Sequence, residues 1–447
     1  MAKYQKYAEY KDSGVEWLGE IPRHWDSKPL KYLCTYNDEV LPETTAKDAE
    51  IQYIDIGSVS AVDGISKIET MIFKDAPSRA RRIVRDGDVI VSTVRTYLEA
   101  IAPINNPPEN LIVSTGFAVI RPNQYLYKSF ASYCLRAKGF IKEVVARSVG
   151  VSYPAINSSD LVNITIPSIE YAEQVKIANF LDHETAKIDS LIAKQEKLIE
   201  LLKEKRQAVI SHAVTKGLNP DVNMKDSGVE WLGNVPEHWN VIKFNHCVQI
   251  RNGLVDPRHE NYKNLILYAP NHIDKGTGKI LYKETAEEQG ADSNKYLCFR
   301  GEVIYSKIRP ALAKVAICEE DSALCSADMY PMDGFNGLSN KFLYYFILSD
   351  SFTEAVILDS DRVAMPKINR ESLSEYKLPI PPLEEQKRII DFIETTGWNL
   401  DKLEQQAQKA IQLMQERRIA LISSAVTGKI DVRNWQHPNE AKTELSL

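Results

Sequence analysis

The chain has 447 residues, enough for about two to four domains that each bury a core. Its 44% hydrophobic and 26% charged residues exclude a disordered or fibrous chain. No stretch approaches the roughly 20 apolar residues of a membrane span, and the formal net charge of −6 argues against indiscriminate nucleic-acid binding while leaving room for a local basic surface.

The first seven residues, Met1-Ala2-Lys3-Tyr4-Gln5-Lys6-Tyr7, hold no apolar signal region, so a cytoplasmic chain is expected. Next comes Lys11-Asp12-Ser13-Gly14-Val15-Glu16-Trp17-Leu18-Gly19, which recurs unchanged from Lys225 to Gly233, an offset of 214 (225 − 11). Ile21-Pro22 and His24-Trp25 return as Val235-Pro236 and His238-Trp239. Short strand-like runs follow, such as Asp88-Val89-Ile90-Val91-Ser92 and Val303-Ile304-Tyr305, bounded by Gly or Pro. Gly87-Asp88-Val89-Ile90 against Gly301-Glu302-Val303-Ile304, and Arg95 against Arg309, keep the offset.

Helical patterns are expected over Lys128–Ala146 and Asn340–Leu358. The offset then becomes 212, for Pro154-Ala155-Ile156-Asn157 against Pro366-Lys367-Ile368-Asn369, Glu173-Gln174 against Glu385-Gln386, and Ala213-Val214-Thr215 against Ala425-Val426-Thr427. A period this long marks repeated domains, beyond the roughly 20–50 residues of solenoid repeats. The modules end where proline cuts the strand pattern, at Ile166-Pro167 and Ile380-Pro381-Pro382.

A short helix is expected in each copy, ending near Leu181 and Ile393, and then a long one. Ile188, Leu191, Gln195, Leu198, Leu202, Lys205 and Val209 alternate in steps of three and four. Leu400, Leu403, Ala407, Ala410, Met414, Arg417 and Leu421 do the same, giving a coiled-coil-like seam of about 45 Å that Gly217 and Gly428 terminate. A lone amphipathic helix of this length needs a partner. The other copy's helix is the favoured one, antiparallel if a pseudo-twofold axis relates the copies; the alternative packs each helix on its own module. The six cysteines, Cys34, Cys134, Cys247, Cys298, Cys318 and Cys325, show no C-x-x-C spacing and read as free thiols in a reducing compartment rather than zinc ligands.

The chain resembles the specificity subunits of type I restriction–modification enzymes over essentially its whole length. The residues that carry this are Gly14-Val15-Glu16-Trp17-Leu18-Gly19 with Ile21-Pro22 and Trp25, their second copy, the run Leu378-Pro379-Ile380-Pro381-Pro382-Leu383-Glu384-Glu385-Gln386 with Ile389 and Phe392, and the two helices. The first copy departs from the proline-rich run, reading Ile166-Pro167-Ser168-Ile169-Glu170-Tyr171-Ala172-Glu173-Gln174. The resemblance implies an α+β fold with two mixed target-recognition domains, at 1–168 and 218–382. They would be separated by helical spacers at 169–217 and 383–430, paired as an antiparallel coiled coil, with a tail at 431–447.

It also implies a non-catalytic subunit that reads a split, asymmetric DNA target, one half per domain. Such subunits hold two copies of an adenine methyltransferase subunit and, in the full complex, a restriction and translocase subunit. No cofactor is expected on this chain. S-adenosylmethionine belongs to the methyltransferase, and ATP and magnesium to the restriction subunit. A protein–protein scaffold that never touches DNA is the alternative. A pseudo-twofold reader suits the antiparallel strands of DNA, and stiff helices would fix half-site spacing.

Trp17, Trp25, Trp231 and Trp239 read as buried anchors rather than stacking platforms for flipped bases. Arg79, Arg81 and Arg82 form a basic cluster suited to phosphates or, equally, a solvated loop. Arg95 and Arg309, with Lys307 beside the latter, suggest a role shared by both copies, either phosphate positioning or a structural ion pair. Base reading is expected where the copies diverge beside a shared frame. In the first copy that is the segment 148–153, with Ser148, Ser152 and Tyr153. In the second it is the segment up to Pro366, with Asp361, Arg362 and neighbouring Lys367; Arg362 is suited to guanine.

Asn106-Pro107-Pro108 resembles the start of a methyltransferase motif, but Glu109 follows where an aromatic residue is needed. Gly276-Thr277-Gly278-Lys279 is too short for a phosphate loop and reads as a turn. A self-contained nuclease or methyltransferase is therefore not expected.

Overall fold

A computed structural model describes residues 4–61, 64–360 and 366–438. The chain divides into two compact units, residues 1–194 with 409–447, and residues 195–408. Each unit holds one module and a part of both long helices.

Both modules are built alike. The recurring Lys-Asp-Ser-Gly-Val-Glu-Trp-Leu-Gly run is the loop of a hairpin, which pairs Tyr10–Asp12 with Glu20–Pro22 and Met224–Asp226 with Asn234–Pro236. Asp12 and Asp226 each accept a bond from the glycine two residues on, the local turn chemistry that suits this loop. Strand Asp26–Pro29 pairs with Thr165–Ser168, and Asn240–Lys243 with Lys377–Ile380. Proline is tolerated in these last strands because each sheet has only two members, so one edge of each strand is unpaired.

Two four-stranded sheets follow in each module. The first has the order Ile101–Pro103, Val89–Ser92, Phe117–Pro122 and Cys34–Tyr36, all antiparallel. Its counterpart runs Val315–Ile317, Val303–Ser306, Met329–Gly334 and Val248–Ile250. The second sheet contains a parallel pair, Glu50–Ile54 with Leu111–Ser114, matched by Leu267–Tyr268 with Ala323–Cys325. Val89, Ile90 and Val91 are fully buried, as are Val303 and Ile304, so these central strands lie between two cores.

Matching strands place the two-residue slip. Ile101–Pro103 and Val315–Ile317 still stand 214 apart, whereas Leu111 and Ala323 stand 212 apart. The length change therefore lies in one connector, residues 104–110 against 318–322. That connector holds the Asn106-Pro107-Pro108 run.

Each expected mid-module helix is a pair, Lys128–Leu135 with Lys138–Ala146 and Asn340–Leu348 with Asp350–Ser360. The break falls where Ala137 and Ser349 adopt extended backbone. Conversely, the expected short and long spacer helices are one continuous helix in each copy, Tyr171–Lys216 and Leu383–Val426. Nothing between Leu181 and Ile188 breaks the first, and Thr185 satisfies its hydroxyl on the Leu181 carbonyl. In the second, Gly397 lies mid-helix, and its carbonyl accepts Arg206 Nη2 at 3.2 Å. At 46 residues the first helix is about 70 Å long.

Both helices end as expected, at glycines with φ of +78° (Gly217) and +72° (Gly428). A left-handed residue closes the last turn and suits glycine because it has no Cβ.

Within each unit the helices pair as an antiparallel coiled coil. In the second unit, Lys203 meets Glu404 and Arg206 meets Asp401, so one number rises as the other falls. In the first unit, Lys176 bonds the Arg433 carbonyl and Asp189 meets Arg418. The core of the first module also takes in Leu421, Ile422, Ala425 and Val426 from the second helix. That of the second module takes in Ile210, Ala213 and Val214 from the first. Each helix therefore begins on its own module and ends on the other.

The seam differs from the expected one at alternate positions. Ile188, Leu202, Leu400, Ala407 and Leu421 are buried, as read. Leu191, Leu198 and Leu403 are exposed, however, and Lys205 and Arg417 lie outside the seam; Ile192, Ile199, Glu404, Arg206 and Arg418 are half-buried in their place. The intervals run four then three rather than three then four. Half-buried charged residues inside the seam hid this in the sequence.

Trp25 and Trp239 are fully buried, while Trp17 is partly buried and donates its indole N–H to the Thr165 carbonyl at 2.9 Å. All six cysteines are buried free thiols.

Candidate nucleic-acid interface

In each module the central strand of the first sheet runs out into a tight loop. After Val89–Ser92, Arg95 adopts left-handed backbone at φ +50°, followed by a turn over Thr96–Leu98. After Val303–Ser306, Arg309 does the same at φ +47°, followed by Pro310–Leu312. This region is uncommon for a residue with a Cβ and strained by about 1 kcal/mol or more. It recurs at both positions, and again at Glu99 and Ala313, which end the two turns at φ +53° and +42°.

The Pro-x-Ile-Asn run holds the strain. Ile156 N–H donates to the Thr93 carbonyl at 2.9 Å, and Ala155 bridges Val94. In the second module, Ile368 N–H donates to Lys307 at 2.9 Å, Arg309 N–H donates to Pro366 at 2.8 Å, and Lys367 bridges Ile308. Ile156 and Ile368 are buried, which pins the clasp to the core.

The structure thereby brings Arg95, Ser148, Ser152 and Tyr153 to one edge. The Arg95 guanidinium lies 4.9 Å over the Tyr153 ring, and the Ser148 and Thr96 hydroxyls are 2.7 Å apart. Arg79 joins through backbone: its carbonyl takes Thr115 N–H, and the adjoining Gly116 carbonyl takes Thr93 N–H, both at 2.8 Å. Arg79 and Arg95 are exposed and form no ion pair among the described residues.

Arg82 does not join Arg81 in one cluster. They lie on strand Ala80–Ile83, where neighbouring side chains point to opposite faces. Arg81 sits 4.9 Å over the Phe73 ring; Arg82 is half-buried, its Nε has no hydrogen-bond partner among the described residues, and burial pushes its pKa down.

In the second module Lys307, Arg309 and Lys367 lie on facing backbone. Arg309 and Lys367 are exposed, and Lys307 Nζ stands 5.5 Å over the Tyr330 ring. Asp361 and Arg362 lie outside the described residues. Beside Arg309 opens a cavity of about 530 Å³, lined among others by Asn271, Gln289, Ser306, Lys314 and Asp328. In the first module Ile56 packs against Gly116, the counterpart of Asp328, and its Cδ1 would stand 2.4 Å from a Cβ there. Ala100 occupies the place of Lys314.

One group of residues went unread in the sequence, and two apolar members of the expected 148–153 segment were not singled out. The carboxylate of the Gly-Asp/Glu-Val-Ile run is a frame element: Asp88 pairs with Arg121, and Glu302 with Arg251. Its Asp88 bonds raise the Arg121 pKa. Val149 and Val151 stand 81% and 101% exposed in the divergent loop. The signal was present, as valine flanks glycine in a loop where polar residues are usual.

The family model of the type I restriction modification DNA specificity domain matches residues 22–201 and 236–413. The chain belongs to this specificity family. The match occurs twice, once over each copy. One relative, the type I restriction enzyme EcoDI specificity subunit of Escherichia coli, is 31% identical over 317 residues, covering 68% of this chain and 70% of that one. A solved chain described under complex assembly and conformational transition of the type I restriction–modification system superposes with a TM-score of 0.70. It is 20% identical and covers 92% of this chain and 99% of its own. The crystal structure of the HsdS subunit from Thermoanaerobacter tengcongensis gives a TM-score of 0.52 at 20% identity, over 92% of this chain and 98% of that one. The specificity-family fold therefore spans both modules and both helices.

Proposed function

We propose that this chain is the DNA-reading subunit of a type I restriction–modification complex, taking a split, asymmetric target with one half-site per module. The observation that carries the reading is the pairing of sameness and difference within one family fold. Both modules present an outward arginine on the same left-handed loop, and the residues around it differ. A common loop suits phosphate positioning, because phosphates are alike at both half-sites, whereas base reading must differ between them.

Arg79 and Arg95 in the first module, and Lys307, Arg309 and Lys367 in the second, fit the phosphate role. Ser148, Ser152 and Tyr153, and the cavity beside Arg309, fit the base-reading role. In this reading the subunit itself is non-catalytic, as the relatives named specificity subunits are. It associates with methyltransferase subunits, two per chain, that bring S-adenosylmethionine. A restriction subunit brings ATP and magnesium. The reading places the chain in the cytoplasm; among the described residues no helix is long and apolar enough to cross a membrane. The scaffold alternative is not favoured, since the family match covers both modules themselves.

Methylation sequencing of DNA modified by the methyltransferase–specificity complex tests this. One split motif is expected, changing in one half only when residues 26–160 are exchanged for those of another specificity subunit. Changes in both halves would overturn the assignment of one module to one half-site.

A further inference from the structure

Resting on that reading, the divergent loop of the first module carries a finer assignment. We propose that Val149 and Val151 recognise the 5-methyl group of thymine in the first half-site, with Arg95 beside them on an adjoining phosphate.

Exposure is the first ground. Val151 is fully exposed and Val149 nearly so, while Tyr153 on the same loop and Tyr97 and Leu98 on the clasped one are exposed by 66%, 54% and 45%. Apolar residues scattered singly over a surface are ordinary, but a group on two joined loops marks a surface that is covered in use.

Rigidity is the second. Val149 and Ala155 exchange both backbone bonds, at 2.8 and 3.0 Å, so the valines sit on a pinned turn. The Ser148 hydroxyl donates to the Val144 carbonyl and meets Thr96, each at 2.7 Å, tying the turn to the helix behind it. A tip held this way loses little freedom on binding.

Charge names the occupant. Arg95 forms no ion pair among the described residues and lies over the ring of Tyr153, two residues along the loop from Val151. An apolar tip edged by an unpaired guanidinium complements a base edge bordered by phosphate. In the major groove the apolar group a base pair presents is the thymine methyl, and the groove, about 12 Å wide, admits a two-stranded turn.

The test uses the full chain in complex with its methyltransferase, after methylation sequencing has given the target. Each thymine of the first half-site is replaced in turn by deoxyuridine, which removes the methyl group alone, and duplex affinity is measured. At one or two positions the wild-type complex should bind roughly fourfold more weakly, the effect of one methyl group left unburied. The V149A/V151A variant should bind the thymine and uracil duplexes alike.

Equal wild-type affinity for every uracil duplex would overturn the proposal, as would an undiminished penalty in the double variant. A folded double variant that no longer holds the methyltransferase would assign the valines to a protein contact and overturn it as well. These failures leave the broader reading intact if the exchange of residues 26–160 still changes one half-site. A complex that modifies no split motif would bring down both.

Discussion

Glu173 and Glu385 stand at the same place in two copies of one motif and keep different company. Glu173 is buried and accepts from the Tyr7 hydroxyl at 2.7 Å and the Trp25 indole at 3.2 Å, with His24 at 3.0 Å. Glu385 meets His238 at 2.7 Å, while the buried Trp239 indole has no hydrogen-bond partner among the described residues. Tyr7 comes from the start of the chain, and 214 residues on its place is taken by Asp221. The neighbouring glutamines do the same work in both copies. Gln174 takes Tyr127 N–H and donates to Tyr125 and Ile169; Gln386 takes Ser339 N–H and donates to Gly337 and Pro381. The copied Glu-Gln pair is thus a junction between module and helix, and only its glutamine is equally satisfied twice.

The sharpest way to break this comparison is to remove each glutamate. Glu173→Ala leaves two buried donors unpaired and should cost about 4 kcal/mol, at about 1–3 kcal/mol per donor, whereas Glu385→Ala should cost about 1. Burial and the Glu173 bond push the Tyr7 pKa up, so Tyr7 remains a donor at neutral pH. Urea unfolding followed by tryptophan fluorescence, with hydrogen exchange to locate the loss, measures both. Equal costs would mean that the Tyr7 and Trp25 bonds contribute nothing net.

The helix ends differ in the same direction. A Cβ on Gly428 would stand 2.3 Å from Pro22 Cδ and 3.0 Å from the Trp25 ring, while one on Gly217 would stand 3.3 Å from the Trp239 ring. Gly428→Ala should cost about 3 kcal/mol, combining left-handed strain with overpacking against a ring that cannot yield. Gly217→Ala carries the strain with only a mild crowding of the Trp239 ring and should cost about 1–2 kcal/mol.

These contrasts bear on what was legible beforehand. Identical residues reported the frame faithfully, since hairpin loop, arginine loop, clasp and helix ends fall where the 214 and 212 offsets put them. The place of the slip was hidden because it lies between stretches with no matching residues, and only strand pairing located it. Arg95 and Arg309 stood out by position, but their backbone strain has no sequence signature outside glycine. Arg81 and Arg82 were joined into one cluster although strand alternation separates adjacent side chains. The seam was misread because Leu191-Ile192 and Leu198-Ile199 are apolar pairs. Either spacing fits them, and the partners that decide it, Glu404, Arg206 and Arg418, carry charge.

That seam makes the next comparison. Ile192 packs against the first core while Leu191 is 48% exposed. Ile192→Ala should cost about 2 kcal/mol and Leu191→Ala less than about 0.5, by thermal unfolding. The reverse order would restore the three-then-four spacing.

The smallest effect tests whether the repeat reaches the charges inside the seam. An offset of 212 carries the pair Asp189–Arg418 of the first unit onto Asp401–Arg206 of the second. Arg418 Nε lies 3.0 Å from Asp189 without the alignment of a hydrogen bond, whereas Arg206 also donates to the Gly397 carbonyl, and Asp401 meets Lys279 as well. Partly exposed pairs of this kind couple by about 0.5–1 kcal/mol. Double-mutant cycles to alanine should give the larger coupling for Arg206–Asp401, because alignment strengthens it and half-burial weakens screening. The coupling should fall as salt rises. A larger, salt-insensitive coupling at Asp189–Arg418 would mean that this pair, poorly aligned as it stands, is the one the helices rely on for register.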